Sequence, residues 1–195
     1  GRVWIIDPID GTQAYLSGKD DWCVAAALSI NGRPVLGAIF NAARNELFAG
    51  RAGHGATMNG QRLKVRDRGS LKGARLIAPR NQLRQQFWGD ALPAFEAKWA
   101  NSIAYRLSLV ACGQADAAIS LSPKSEWDVA AGVVIAAEAG CIVTDQHGNT
   151  PQFNNPEPRI DGIIAAPPIL HEELLRLRKQ SLIPRPIDVT EERKP

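Results

Sequence analysis

Nowhere in the chain is there an apolar run of about twenty residues, the length a membrane-spanning helix needs. The pattern of a secretory signal is also missing. A membrane is therefore not expected as a partner. Cysteine is scarce: Cys23, Cys112 and Cys141 lie far apart, each in an apolar context, and no two have zinc-site spacing. An odd, scattered set reads as buried free thiols in a reducing compartment, so a cytoplasmic setting is expected. The three histidines, His54, His147 and His171, stand in turn-like or polar surroundings and are not offered as catalysts. The charge imbalance is small, a net +3. Six Lys/Arg against three Asp/Glu between Arg176 and Pro195 match that whole excess. They read as a solvated helix end and tail, so no nucleic acid polymer is expected as a partner. Internal repeats and low-complexity segments are absent.

What is present suits one domain: 195 residues, 45% of them apolar. The chain is organised around its opening stretch. Val3-Trp4-Ile5-Ile6 predicts a short strand that ends by delivering Asp7. Pro8 cannot donate to a ladder and fixes the turn. Asp10 follows, then Gly11 and Thr12. Two carboxylates crowded within one turn repel each other unless a cation sits between them. Their hard oxygens suit Mg²⁺, which shares its shell with a substrate phosphate. The amides of Gly11 and Thr12 can point at that phosphate if a helix starts there. The plainer alternative is a turn with Asp10 as a helix N-cap. Phosphatases of the haloacid-dehalogenase type open with Asp-x-Asp-Gly-Thr; here the acids are three apart with a proline between, so that type is set aside.

Downstream, Trp22–Ile30, Pro34–Phe40, Glu46–Gly50 and Ala56–Met58 predict an antiparallel meander, with Asn31-Gly32 and Asn59-Gly60 as hairpin turns. Alternating strands and helices follow. Strands are predicted at Ala74–Ala78, Ala115–Leu121, Cys141–Thr144 and Ile163–Ala166, with a short one at Trp99. Helices are predicted at Gln82–Phe95, broken by Pro93, at Ser102–Cys112 capped by Ser102, at Trp127–Ala139 stopped by Gly140, and at Leu170–Lys179. Gln152–Asp161 reads as a loop. The fold class is α/β (α+β), sheets layered with helices. Residues 1–180 read as one domain and 181–195 as a disordered tail.

Asp128 opens the small-residue helix after Trp127. Alone it reads as an N-cap, a role Ser125 or Glu126 could fill equally. Beside the opening corner it supplies a third carboxylate from a separate element, as a metal-assisted phosphate site requires.

The stretch Trp4-Ile5-Ile6-Asp7-Pro8-Ile9-Asp10-Gly11-Thr12 resembles the first signature of the inositol monophosphatase superfamily. Trp127-Asp128-Val129-Ala130-Ala131-Gly132, continued by Glu138-Ala139-Gly140, resembles its second. The resemblance implies a layered sandwich and a Mg²⁺-dependent, lithium-sensitive phosphomonoesterase. It implies Asp7, Asp10 and Asp128 as metal ligands, with the Ile9 carbonyl adding an oxygen. It implies that Gly11 and Thr12 hold the phosphate and that the Thr12 hydroxyl orients the attacking water. It implies a small phosphorylated metabolite as partner and brings in a homodimer as a candidate assembly. The superfamily also places helices, a mobile loop and an acidic metal-binding pair upstream of the first signature. This chain opens at Gly1 directly into a core-like strand, so such a portion is expected to precede it. A catalytically incomplete binding fragment is the corresponding alternative.

Inositol-specific members carry an acid shortly before the second signature, where this chain has Ser120 or Leu121. Ser122-Pro123-Lys124-Ser125 is more similar to the bisphosphate nucleotidase branch, as is the Ser102-Ile103 helix start. Lys124 could contact a second phosphate as a point charge, or be a solvated loop lysine. The preferred expectation is a 3′(2′),5′-bisphosphate nucleotidase. Inositol-1-monophosphatase, sugar phosphate and histidinol phosphate phosphatases remain alternatives.

Overall fold

Two Asn-Gly pairs set the hairpins of the first half. Asn31 and Gly32 (φ 50° and 79°), like Asn59 and Gly60 (φ 49° and 80°), both sit in the left-handed region that tight two-residue hairpin turns demand. In the computed structural model, which describes residues 1–84, 88 and 93–182, the chain runs as β1 (Arg2–Asp10), a short helix α1 (Thr12–Leu16), β2 (Cys23–Ile30), β3 (Arg33–Asn41), β4 (Glu46–Arg51), β5 (Gly55–Met58) and β6 (Gln61–Arg62). The six strands form one antiparallel sheet in sequence order. One face is buried in strict alternation: Ile5 and Asp7 on β1, Cys23, Ala25 and Ala27 on β2, Gly37 and Ile39 on β3. The opposite face leaves Trp4, Ile6, Val24, Phe40 and Leu47 exposed.

The second half adds β7 (Arg75–Ile77), β8 (Glu96–Lys98), α2 (Ile103–Ala111), β9 (Ala117–Ser120), β10 (Lys124–Ser125), α3 (Glu126–Glu138), β11 (Ile142–Thr144), β12 (Arg159–Ile160), β13 (Ile163–Ala166) and α4 (Pro168–Leu182). The second sheet has the order β11-β13-β9-β7-β8, with β7 parallel to both its neighbours. α2 and α3 pack on each other between the two sheets, and α4 lies against β13 and β11. Period-two alternation splits the core. Ala118, Ile163 and Ala165 face the helices between the sheets, whereas Ile119, Ile164 and Ala166 join Leu170, Leu174 and Leu177 of α4. Strands buried on both faces read as continuous apolar runs, as β9 and β13 do.

α3 sits unusually close to its neighbours because glycines leave room. A Cβ on Gly37 would lie 2.5 Å from the Ala131 carbonyl oxygen, and one on Gly132 would lie 2.5 Å from Leu107 Cδ1. The end of α3 is tied to the β4–β5 turn, where Glu138 accepts the amides of Gly53 (2.8 Å) and Gly55 (2.7 Å).

Beyond the first sheet, sequence expectations change at three places. The helix expected over Gln82–Phe95 is replaced, among the described residues, by a 3₁₀ turn at Arg80–Leu83 and a non-helical Pro93–Phe95; the rest of that segment lies outside the described residues. Trp88 is buried there and its indole N–H donates to the Gln82 carbonyl at 2.7 Å. The Gln152–Asp161 loop contains β12, which pairs with β10. The short strand expected to start at Trp99 is instead β8, which lies wholly before it at Glu96–Lys98. The tail from residue 183 lies outside the described residues.

Candidate metal and phosphate site

β1 does not end at Asp7. It continues through Pro8 to Asp10, with a register shift: Asp7 pairs with Ala25, but Asp10 pairs with Cys23. Three steps on β1 thus oppose two on β2, a bulge with one extra residue. Proline is tolerated at a bulge because no ladder donor is needed there. The bulge also settles the parity of the two acids. In a regular strand, positions 7 and 10 would point to opposite faces. With one residue inserted, Asp7 and Asp10 both turn inward, 8% and 9% exposed.

The corner that follows needs glycine. Gly11 has φ 88°, and a Cβ there would lie 3.0 Å from the Asp21 carbonyl oxygen and 3.2 Å from Ser102 Cβ. α1 begins at Thr12 with Gly11, not Asp10, in the cap position. The Asp10 carboxylate reaches across to α2 instead. Its Oδ2 accepts from Ser102 Oγ at 2.6 Å and from the Ala104 amide at 2.7 Å. Ser102 also caps α2 by accepting from Tyr105 N at 2.9 Å. The start of α2 is pinned from the other side by Asp21, whose Oδ2 accepts from the Asn101 amide at 2.6 Å. Both bonds to Asp10 fall on Oδ2, so Oδ1 is not engaged by them.

Asp128 arrives on the first turn of α3, and the Ser125 amide donates to its Oδ2 at 3.2 Å. Asp7, Asp10 and Asp128 each present an oxygen within 4.8 Å of the others. Two segments more than a hundred residues apart therefore meet, as the opening corner and Trp127-Asp128 suggested. Burial, and for Asp10 and Asp128 crowding as well, shows in their proton affinities. Burial, joined by the charges of Asp128 and Asp7, pushes Asp10 up to about 6. Burial raises Asp7, and burial with the Asp7 charge raises Asp128. Three converging carboxylates that resist shared ionisation fit a hard divalent cation such as Mg²⁺.

The remaining predicted residues surround this cluster. The Ile9 amide donates to Asp7 Oδ1 at 2.9 Å, and the Ile9 carbonyl accepts from Thr12 Oγ1 at 3.1 Å. Thr12 is exposed and Gly11 half-buried at the mouth of the corner. Lys124, in β10 just before α3, is half-buried; burial and Arg106 lower its pKa, against the pull of Asp128 and Asp10. Cys23 Sγ lies 3.2 Å from Ser102 Oγ. Burial, aided by the Asp10 charge, drives its thiol far up, so it stays protonated and packs as a small apolar residue.

Sequence reasoning missed how Asp10 is held. Ser102 read as a helix cap, which it is, but nothing in its neighbours signals a second bond to a residue so far upstream. Arg106 was also missed, although it sits one turn into the same helix with 5% exposure. A charged residue among the apolar positions of a helical stretch was the available signal.

Similarity to known proteins bears on this geometry. The chain is 40% identical over 172 residues to a "Nus factor SuhB" of Xylella fastidiosa (strain Temecula1), covering 84% of this chain and 62% of that protein. It is 35% identical over 156 residues to "Inositol monophosphatase 3" of Solanum lycopersicum, covering 75% of this chain and 58% of that protein. The chain thus spans about three fifths of these curated relatives. The solved inositol monophosphatase of Anabaena (Nostoc) superposes with a TM-score of 0.79 at 33% identity, over 92% of this chain and 72% of that one. Structural likeness confirms the layered sheet-and-helix fold. The sequence model of the inositol monophosphatase family matches residues 1–182, and the chain belongs to that family.

Proposed function

We propose that the complete protein is a Mg²⁺-dependent phosphomonoesterase acting on a small phosphorylated metabolite, with residues 1–180 forming its phosphatase domain. One observation carries this reading: three carboxylates from two distant segments, within 4.8 Å of one another, beside a glycine-threonine corner. Asp7, Asp10, Asp128 and the Ile9 carbonyl would hold the ion. When bound, Mg²⁺ supplies Lewis-acid polarisation of the phosphoryl oxygens and lowers the pKa of water. The amides of Gly11 and Thr12 hold the phosphate oxygens. The Thr12 hydroxyl orients the attacking water by accepting from it, while donating its own hydrogen bond to the Ile9 carbonyl at 3.1 Å. Ser102 and the Ala104 amide keep Asp10 ionised and correctly turned. The family resemblance adds sensitivity to lithium.

The substrate we favour is a 3′(2′),5′-bisphosphorylated nucleoside. Ser120 and Leu121, where inositol-specific relatives carry an acid, supply no carboxylate to a sugar hydroxyl. Lys124 supplies positive charge at the edge of the cluster. A second reading, inositol 1-phosphate, is favoured by the name of the 35% identical tomato relative. Turnover of adenosine 3′,5′-bisphosphate and inositol 1-phosphate by the complete protein with Mg²⁺ separates them. Equal rates defeat our preference; absence of Mg²⁺-dependent turnover on any phosphomonoester defeats the enzymatic reading.

A further inference from the structure

The link 99–102 joins β8 to α2 and pairs with no strand. Its backbone groups still need partners as they enter the core. Two side chains supply them from opposite sides. Asp21, in the loop after α1, takes the amides. Its Oδ2 accepts from the Asn101 amide at 2.6 Å and from Asn101 Nδ2 at 2.9 Å, and its carbonyl accepts from the Ser102 amide at 3.3 Å. Arg106, one turn into α2, takes the carbonyls. Its Nε donates to Ala100 at 2.7 Å and its Nη2 to Asn101 at 2.9 Å. The guanidinium lies over the Trp99 ring, 5.8 Å from its centroid. The same Asp21 carbonyl is the group that a Cβ on Gly11 would meet at 3.0 Å, so one loop backs both the link and the glycine corner.

The link ends in the residue that holds Asp10. Ser102 Oγ and the Ala104 amide both donate to Asp10 Oδ2. The turn of that carboxylate is therefore set by where the link delivers the start of α2. A metal ligand has to be held to within about 0.5 Å and 10–20° of its working position. Among the described residues, neither Asp21 nor Arg106 makes a hydrogen bond or ion pair with Asp7, Asp10 or Asp128. Apart from the field of their charges, they reach the cluster only through Ser102 and Ala104.

We infer that Asp21 and Arg106 are positioning residues for the carboxylate cluster: gripping the link 99–102 from its two sides, they aim Ser102 and Ala104 at Asp10 and so set the affinity of the site for its divalent ion. This rests on the reading above that Asp7, Asp10 and Asp128 hold Mg²⁺. Arg106 is 5% exposed, and a buried cation spent on neutral carbonyls adds little net stability. What it fixes is the path of the link.

The test measures Mg²⁺ binding by calorimetry on the complete protein. D21A should weaken it about tenfold, as loss of support behind a metal ligand does. D21N should stay close to wild type, because its amide oxygen still accepts both Asn101 bonds while the charge is gone. R106K keeps the charge but not the fork that spans two carbonyls, so it should weaken binding too. The D21A and S102A losses should fall short of adding, since both pass through Ser102. Equal affinity in D21A and wild type, equal losses in D21A and D21N, or fully additive losses overturn the inference. The Asp21 variants carry the test alone if thermal melting shows that R106K does not fold. Hydrogen exchange in EDTA reads the same hold without metal. D21A should speed exchange of the Ala104 amide more than that of Ile164 in β13, whereas an equal rise at both marks a merely structural role and overturns the inference. If the wild type binds no Mg²⁺, the metal reading fails, and the positioning of Asp10 stands or falls on the Ala104 exchange.

Discussion

Replacing Asp10 with Asn tests whether the site stores electrostatic cost that a cation relieves. In the metal-free protein Asp10 titrates at about 6 against an ordinary 3.8. Its folded pKa is raised, so its contribution to stability is full below about pH 4 and lost as pH rises through 6. The difference of roughly two pKa units corresponds to about 3 kcal/mol at neutral pH. Asn keeps the shape and the oxygen that accepts from Ser102 Oγ and the Ala104 amide, and removes the charge facing Asp7 and Asp128. D10N should therefore gain about 2 kcal/mol in EDTA at pH 8, allowing for relaxation around the charge. For a chain of this size that raises Tm by roughly 4–8 °C. At pH 4 the two proteins should melt together. Adding Mg²⁺ should reverse the order, since a ligand at a hundred times its Kd stabilises by about 2.7 kcal/mol and D10N binds it poorly. Thermal denaturation at both pH values, with and without Mg²⁺, reads all four arms. A D10N protein less stable than wild type in EDTA at pH 8, or an equal Mg²⁺ shift in both, would refute the reasoning.

Other outcomes follow from the same geometry. D128N should keep the fold, by circular dichroism, and lower Mg²⁺-dependent kcat/KM by about 10²–10³-fold or more, several kcal/mol of lost charge stabilisation. G132A should cost about 1–3 kcal/mol in urea denaturation, because its methyl meets Leu107; L107A should recover part of that in a double-mutant cycle. G37A should cost more than G132A, since its methyl meets the Ala131 backbone, which yields less readily than the Leu107 side chain. S102A should cost about 1–2 kcal/mol through loss of the α2 cap and should weaken Mg²⁺ binding by releasing Asp10; unchanged Mg²⁺ affinity would separate the cap from the site.

Much of this molecule was legible from local chemistry. Asn31-Gly32 and Asn59-Gly60 announced their hairpins because few other pairs accept two left-handed residues in succession. Ser102 announced the start of α2 because capping is a local event. The meeting of Asp7, Asp10 and Asp128 could be anticipated because carboxylates crowded at element ends need a shared counter-charge. The β1 bulge was not legible: Pro8 pointed to the end of a strand, and only pairing with Ala25 and Cys23 shows the strand passing through. Helical composition over 82–95 misled, because Pro93 and the buried Trp88 answer to tertiary packing. The hold of Ser102 on Asp10 is a long-range fact with no local signature.

The glycine seats of α3 bear on how this architecture tolerates change. At Gly37, where main chain meets main chain, no side chain acts as a spacer, and spacing becomes insensitive to which aliphatic residues fill the layers farther out. Substitutions around Ile119, Ile164 or Leu174 can alter melting behaviour while the gap between the Asp7 corner and Asp128 stays fixed. Drift in the outer core is thereby uncoupled from the mouth of the carboxylate cage.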